Sequence, residues 1–435
     1  MKSSTKKLLL ISGALVLALP ESASALAAFS RQTGKSCMAC HAQTMPKLNS
    51  YGREFALSGY TLYDENSSTQ ALVEGSEVPL GLPSTLNVSA VLKARYVKTD
   101  EVLNASGDVV GEERGELQVL EGSGLYFGGR VAENFGGLVS LEGDSSQESD
   151  VVFGGKLIMA YPALEGYGGL SLISTKVNGV FSGMENFNTG LNAPLKQFEN
   201  AYATNAAQAT GLANGPATGL QAYYGDANFF VTLGATIPTQ NSEGIDAGNS
   251  LLPFWRAAYN QPIGDWNVMI GTYGFRGDVK ASDQSLDGGL VDGKAELTEI
   301  HKEAHGFDFE ASGNIVGMST MTTLNYVVRN TVDVDPAILT SYNLQKTDNS
   351  GFSAEFQINP IVPLGLKVAY LRYQNNDDTT ANQEFIKNYD YQTYTVGVSY
   401  LIRQNISFGI DYSRYDPESD IDNYNDVYLT ATLVF

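Results

Sequence analysis

Tyr394-Thr395-Val396-Gly397-Val398-Ser399-Tyr400-Leu401-Ile402 decides the fold, together with Ile406-Ser407-Phe408-Gly409-Ile410-Asp411-Tyr412-Ser413 and Val427-Tyr428-Leu429-Thr430-Ala431-Thr432-Leu433-Val434-Phe435. Each stretch alternates with period two. Tyr394, Val396, Val398, Tyr400 and Ile402 oppose Thr395, Gly397 and Ser399. Ile406, Phe408, Ile410 and Tyr412 oppose Ser407, Gly409, Asp411 and Ser413, and Val427, Leu429, Ala431 and Leu433 oppose Tyr428, Thr430 and Thr432. An apolar face with aromatic ends suits lipid, and a face of Ser, Thr, Gly and Asp suits a polar lumen. A soluble sandwich or propeller alternates too, so loop lengths must separate the two.

The same pattern runs back to about Leu86 in segments of roughly ten residues, the length of a membrane-crossing strand. Short connections are expected near Ala132–Phe135, Gln261–Asp265, Gln357–Gly365 and Arg403–Asn405. Long polar connections fall near Val177–Ala217, Arg276–Ala304, Thr331–Ser350, Asn375–Asp390 and Asp416–Asn425. Short periplasmic turns alternating with long outer loops are the mark of a bacterial outer-membrane barrel. The expectation is an all-β fold, an antiparallel transmembrane β-barrel of about sixteen strands over residues 85–435. The segments between Ser145 and Ala227 read least clearly.

Ahead of the barrel, Lys2, Lys6 and Lys7 precede the apolar run Leu8 to Leu19, and small residues follow Pro20. This reads as an export signal over residues 1–27, too short and wrongly flanked for a stable span. Next comes Cys37-Met38-Ala39-Cys40-His41, which is C-x-x-C-H, the attachment motif for one covalent haem c. Two thiols two residues apart can form thioethers to the porphyrin, and the adjacent His41 serves as proximal iron ligand. The alternative, a redox C-x-x-C, calls for a βαβ context that the neighbouring sequence lacks. The chain has no other cysteine, so no disulfide framework remains.

Residues 28–84 form a plug domain too small to bury a haem and its own apolar side chains together. The lumen of a barrel this size is the available cover. A sixth iron ligand is harder to find. Met45, four residues after His41, would share a helical face with it and so could not reach the opposite side of the iron. Met269 and Met321 take the lumen-facing parity, in phase with Asn267 and Asn325, and are the distal candidates. Met159 falls with the lipid-facing residues, and His301 and His305 sit at an outer loop or strand start. Lys93, Arg95, Asp308, Glu310, Glu355 and Asp411 also take lumen parity, with Lys93 and Arg95 placed to pair haem propionates.

Composition agrees. Only 17% of residues are charged, below the globular norm, and a net charge of −21 excludes a nucleic-acid partner on electrostatic grounds. Acidic residues gather in the outer loops, at Asp278, Asp283, Asp287, Asp292, Glu296, Glu299 and Glu303, and at Asp416, Glu418, Asp420 and Asp422. They make either a solvated surface or a weak field that concentrates cations such as Fe²⁺.

The run Phe29-Ser30-Arg31-Gln32-Thr33-Gly34-Lys35-Ser36-Cys37-Met38-Ala39-Cys40-His41, then Pro46, Leu48, Gly52, Phe55, Gly59 and Tyr60, resembles the fused cytochrome–porin family. The motif likeness covers Phe29 to Tyr60, and the rest is likeness of architecture. The resemblance implies an outer-membrane electron-transfer protein, best known as an iron (Fe²⁺) oxidase. It implies haem on Cys37 and Cys40, His41 as proximal ligand, extracellular Fe²⁺ or another one-electron donor, and a periplasmic cytochrome c or copper protein as acceptor. Two rivals stand beside it: a diffusion porin or ligand transporter with a structural haem plug, and the same conduit run outward.

Overall fold

The computed structural model describes residues 27–41, 47–63 and 87–435, apart from 145–149, 184–195, 213–214, 238–250, 283–289, 292–293, 333–347, 376–389 and 419–420 and positions 105, 120, 177, 296 and 404. The export signal, Met45 and the acidic residues 283, 287, 292, 296 and 420 lie outside the described residues.

Sixteen antiparallel strands close into one barrel among the described residues. β1 (Val88–Thr99) pairs with both parts of a broken β2 (Arg114–Gln118 and Gly124–Ala132). β3 (Phe135–Asp144), β4 (Asp150–Ala163), β5 (Gly166–Thr175) and β6 (Ala217–Gly225) follow. Then come β7 (Phe229–Ile237), β8 (Leu252–Ile263), β9 (Trp266–Ser282) and β10 (Leu297–Ile315). β11 (Met318–Val332), β12 (Asp348–Ile361), β13 (Leu364–Asn375) and β14 (Tyr391–Arg403) continue the meander. β15 (Ile406–Pro417) and β16 (Tyr424–Val434) complete it, and β16 closes on β1 from Val91↔Val434 to Thr99↔Asp426. Closure leaves no strand edge exposed in lipid, which a membrane sheet requires.

The alternation read from the sequence holds in space. Tyr394, Val396, Val398 and Tyr400 point outward and stay exposed, while Thr393 and Thr395 are buried inside. On β15, Phe408, Ile410 and Tyr412 face out, with Asp411 and Ser413 inside. Tyr394 and Tyr400 bracket the two valines, as aromatic girdles bracket an apolar belt. An apolar exterior around a closed, polar-lined barrel makes this a bacterial outer-membrane protein in contact with membrane lipid.

Three turns escaped the sequence reading: Leu164–Glu165, Asp226–Asn228 and Val316–Gly317. Leu164 and Val316 are apolar, so they read as strand, yet both adopt positive φ, at 52° each. Glycine or asparagine is the residue expected there. The predicted loop Arg276–Ala304 is mostly hairpin, because β9 and β10 stay paired as far as Ser282↔Leu297. The expected long loop Val177–Ala217 departs furthest. Rather than standing outside, its described stretches 178–183 and 196–212 turn into the lumen, and Phe181, Ala203, Ala206 and Ala207 are fully buried. It carries a one-turn helix, Ala206–Ala209, capped by Asn205, whose side chain accepts from the Ala207 N–H at 3.0 Å. The reason is compositional: Ala201-Tyr202-Ala203-Thr204-Asn205-Ala206-Ala207-Gln208-Ala209 is small and weakly polar, suited to fill a lumen.

The other end of the lumen holds the N-terminal segment. It contains α1 (Ala27–Thr33), α2 (Cys37–Cys40) and α3 (Ser50–Leu57). Phe55, Ala56, Leu57 and Tyr60 pack against the barrel residues Ile158, Tyr223, Phe230 and Met269. Polar bonds fix the docking. The Ala28 N–H donates to Ser89 Oγ at 2.8 Å, and Tyr223 Oη donates to the Leu57 carbonyl at 2.7 Å. Gln32 accepts from the Arg130 N–H at 2.8 Å. Most of these barrel residues lie near the short turns, so the plug fills the periplasmic half and the inward loop the outer half.

Candidate functional site

The site begins with a single turn of helix. Cys37 to Cys40 form α2, and the His41 N–H closes it on the Cys37 carbonyl at 2.9 Å. That turn presents residues three apart on one side, the geometry two thioethers to one macrocycle need. Neither cysteine is in a disulfide. Cys37 is buried and Cys40 half-buried, and burial raises the Cys40 thiol above its ordinary value against a smaller opposing pull from Lys35.

Asn49 holds the turn. Its amide Nδ2 lies 3.0 Å from the Ala39 carbonyl and 3.3 Å from that of His41, and its backbone N–H donates to the Cys40 carbonyl at 2.9 Å. The same side chain caps α3 by accepting from the Gly52 N–H at 3.0 Å. Gly52 is glycine because a Cβ there would meet the Cys40 carbonyl oxygen at 2.1 Å. Of the other residues that carry the family resemblance, Phe29, Phe55 and Tyr60 form an aromatic cluster, with Phe29 and Tyr60 stacked at 4.8 Å. Asn49 escaped the sequence reading, although Asn ahead of a helical run is a recognisable N-cap signal.

Lys93, Asp308, Glu310, Glu355 and Asp411 are buried in the lumen, as their parity predicted. Each has a protein partner. Asp308 bridges Arg256 through two bonds of 2.6 and 2.7 Å, with both side chains fully buried. Glu310 faces Lys47 of the plug at 3.7 Å. Glu355 accepts from Asn205 of the inward loop at 3.0 Å, and Asp411 pairs with Lys367 at 2.8 Å. Lys93 and Arg95 meet Glu199 of the inward loop, at 2.9 and 3.8 Å, and Arg95 also meets Glu121 at 3.2 Å. In the structure both cations pair with glutamates.

Burial alone would raise the Glu199 carboxyl, but Lys93 and then Lys196 outweigh it and hold the group below its ordinary range. A depressed carboxyl contributes stability that is complete above its unfolded value, about 4.3 for Glu, and lost as pH falls through the folded value. Glu199→Gln is expected to lower stability at pH 7 by about 2 kcal/mol, the scale of a charged hydrogen bond. Most of that difference vanishes as pH falls through the depressed folded-state value. Thermal denaturation of both proteins across this range measures it.

Met269 and Met321 both point inward and are 2% exposed. Met269 belongs to the apolar cluster under the plug. Met321 pairs across the sheet with Gln357. Gln357 and Met38, from the middle of the cysteine turn, both line a cavity of about 130 Å³ between the plug, the inward loop and the wall β12–β16. Met159 takes the lipid-facing parity, with Phe153 and Leu157. His301 and His305 lie toward the long-loop end of β10, bonded to Asp278 at 2.6 Å and Glu303 at 2.7 Å. The plug docks at the other end.

No protein-family model and no curated protein matches the chain. Among solved structures, it is similar to the loop L8 deletion mutant of OmpT, an outer membrane protein of Vibrio cholerae, at 12% identity and TM-score 0.47, over 81% of this chain and 99% of that one. It is similar also to an anion-selective porin from Comamonas acidovorans, at 12% identity and TM-score 0.46, over 81% and 99%. The outer membrane channel DcaP of Acinetobacter baumannii aligns at 14% identity and TM-score 0.48, over 80% and 97%. Likenesses this distant transfer no role to individual residues.

Proposed function

We propose that this outer-membrane barrel is an electron conduit carrying one covalent haem c on its N-terminal plug. The observation that supports it is a C-x-x-C-H turn docked within the lumen, clamped by Asn49 and closely approached by Gly52. Cys37 and Cys40 would hold the haem and His41 its iron, and the group supplies one-electron redox chemistry when bound. The chain's own contribution is position. The lumen half-buries the turn, with Cys37 fully covered, while the plug and the inward loop bring protein to it from both sides of a hydrocarbon core about 30 Å thick. The resemblance to fused cytochrome–porins makes extracellular Fe²⁺ the proposed donor and a periplasmic cytochrome c or copper protein the proposed acceptor.

Anaerobic stopped-flow absorbance of the oxidised protein mixed with Fe²⁺ tests this reading. A fast rise of the reduced haem α-band is expected, and silence from a haem that dithionite still reduces counts against iron as donor. Of the two lumen methionines, Met321 neighbours a cavity-lining residue, so Met321→Ala is expected to shift the reduced spectrum more than Met269→Ala. Unchanged spectra in both would end the idea of a methionine ligand from the barrel wall.

A second reading, a diffusion porin, draws on the inward-folded loop, whose segment 196–212 crosses to Ser353, Glu355, Asp411 and Tyr415 on the far wall. A loop in that place narrows a channel. Planar-bilayer recordings separate the readings: the conduit predicts little ion flux through the intact protein, the porin steady conductance.

A further inference from the structure

The cavity beside Met38 has a donor set that the conduit has not used. Of its charged lining residues, Lys93 is bonded to Glu199 at 2.9 and 3.1 Å, and Lys367 forms an ion pair with Asp411 at 2.8 Å. Lys196, on the inward loop, makes no ion pair or hydrogen bond among the described residues. Glu199 and Glu121, and Glu142 on β3, lie within its field, beyond ion-pair distance. Next to Lys196, Gln197 is 8% exposed, and neither its side-chain amide nitrogen nor its oxygen has a hydrogen-bond partner among the described residues. The Thr430 hydroxyl, also buried and lining the cavity, has none either.

Unpartnered buried amides are rare because each forfeits the hydrogen bonds it had in water. Here three donors of different kinds line one space: an ammonium, an amide N–H and a hydroxyl. Burial, and then the neighbouring Lys93, disfavour the charged form of Lys196, a cost that an arriving anion would relieve. The wall contributes room. Gly409 faces the cavity, and a Cβ there would come no closer than 3.9 Å to its neighbours. Met38, Val362 and Pro363 supply an apolar side. A carboxylate on a short aliphatic arm fits this combination.

We propose that Lys196, Gln197 and Thr430 form a carboxylate-binding site in the lumen beside the C-x-x-C-H turn. The carboxylate has two chemical sources: a propionate of the haem, which rests on the function proposed above, or a dissolved carboxylic acid, which does not. Potentiometric titration of the full-length haem-loaded protein and its Lys196→Ala variant tests the first. Lys196→Ala is expected to keep its covalent haem but shift to a lower midpoint potential, because removing a cation near the propionate favours the ferric form. Lys196→Arg should hold the wild-type value, and heat-modifiable gel mobility checks that both barrels are folded.

Calorimetric titration of succinate into the full-length Cys37→Ser/Cys40→Ser protein tests the second. Binding is expected there, weakened at least about tenfold by Lys196→Ala, the loss of one charged hydrogen bond. If wild-type protein carries no haem, the proposed conduit fails while the succinate titration still judges the site. If neither the potential nor succinate binding responds to Lys196→Ala, the carboxylate site is wrong.

Discussion

Asp308→Ala is expected to destabilise the barrel by about 3–5 kcal/mol, because it leaves the Arg256 guanidinium buried without its carboxylate. Both side chains of this pair are 0% exposed and share two bonds of 2.6 and 2.7 Å. The surroundings are shaped to hold it. The Arg256 guanidinium lies 5.4 Å from the Tyr273 ring centroid, and the Tyr273 hydroxyl bonds Asn325 at 3.0 Å. Gly271 leaves the space, since a Cβ there would stand 2.2 Å from an Arg256 nitrogen and 2.4 Å from Asp308 Oδ1. Guanidinium unfolding of the lipid-reconstituted barrel measures the loss as a lower midpoint. The double change Arg256→Met/Asp308→Leu removes both charges and should recover most of it, since the penalty lies in the orphaned charge.

Cys37→Ser/Cys40→Ser is expected to abolish covalent haem completely while leaving the barrel folded. The two effects separate because the docking bonds of the plug, from Gln32 to Arg130 and from Tyr223 to Leu57, involve neither thiol. Under the proposed function either single substitution would leave one thioether, and the haem should stay attached with altered yield and spectrum. Only the double variant should lose all colour that resists acid–acetone extraction, together with any absorbance change on mixing with Fe²⁺. Circular dichroism in the β-sheet region should match wild type.

Much of this architecture could be read from the sequence because the outward and inward faces differ in chemistry at every second residue. Strands such as β14, β15 and β16 carry valines and aromatics against threonine, serine and aspartate, so parity alone fixed which side faces lipid. The turns at Leu164 and Val316 could not be read that way, since positive φ at an apolar residue leaves no compositional trace. Nor could the destination of the stretch 196–212. A small, weakly polar segment suits either solvent or a lumen, and only contacts such as Asn205 to Glu355 decide between them.

The candidate site divides along the same line. Cys37, Cys40 and His41 announce themselves by spacing, whereas the partners of Lys93 and Arg95 depended on where Glu199 would arrive. That glutamate lies 106 residues from Lys93, beyond the reach of any local pattern. Gly52 and Asn49 stand between these cases. Both sit in a local motif, but their reasons, a close approach to Cys40 and a clamp on the cysteine turn, emerge only once α2 and α3 are packed together.

The most direct test of the account is the reduced-minus-oxidised absorbance spectrum of the exported, detergent-purified protein, recorded before and after acid–acetone extraction. A sharp α-band that survives extraction is expected, marking one haem bound through Cys37 and Cys40. A colourless barrel with two titratable thiols would contradict it.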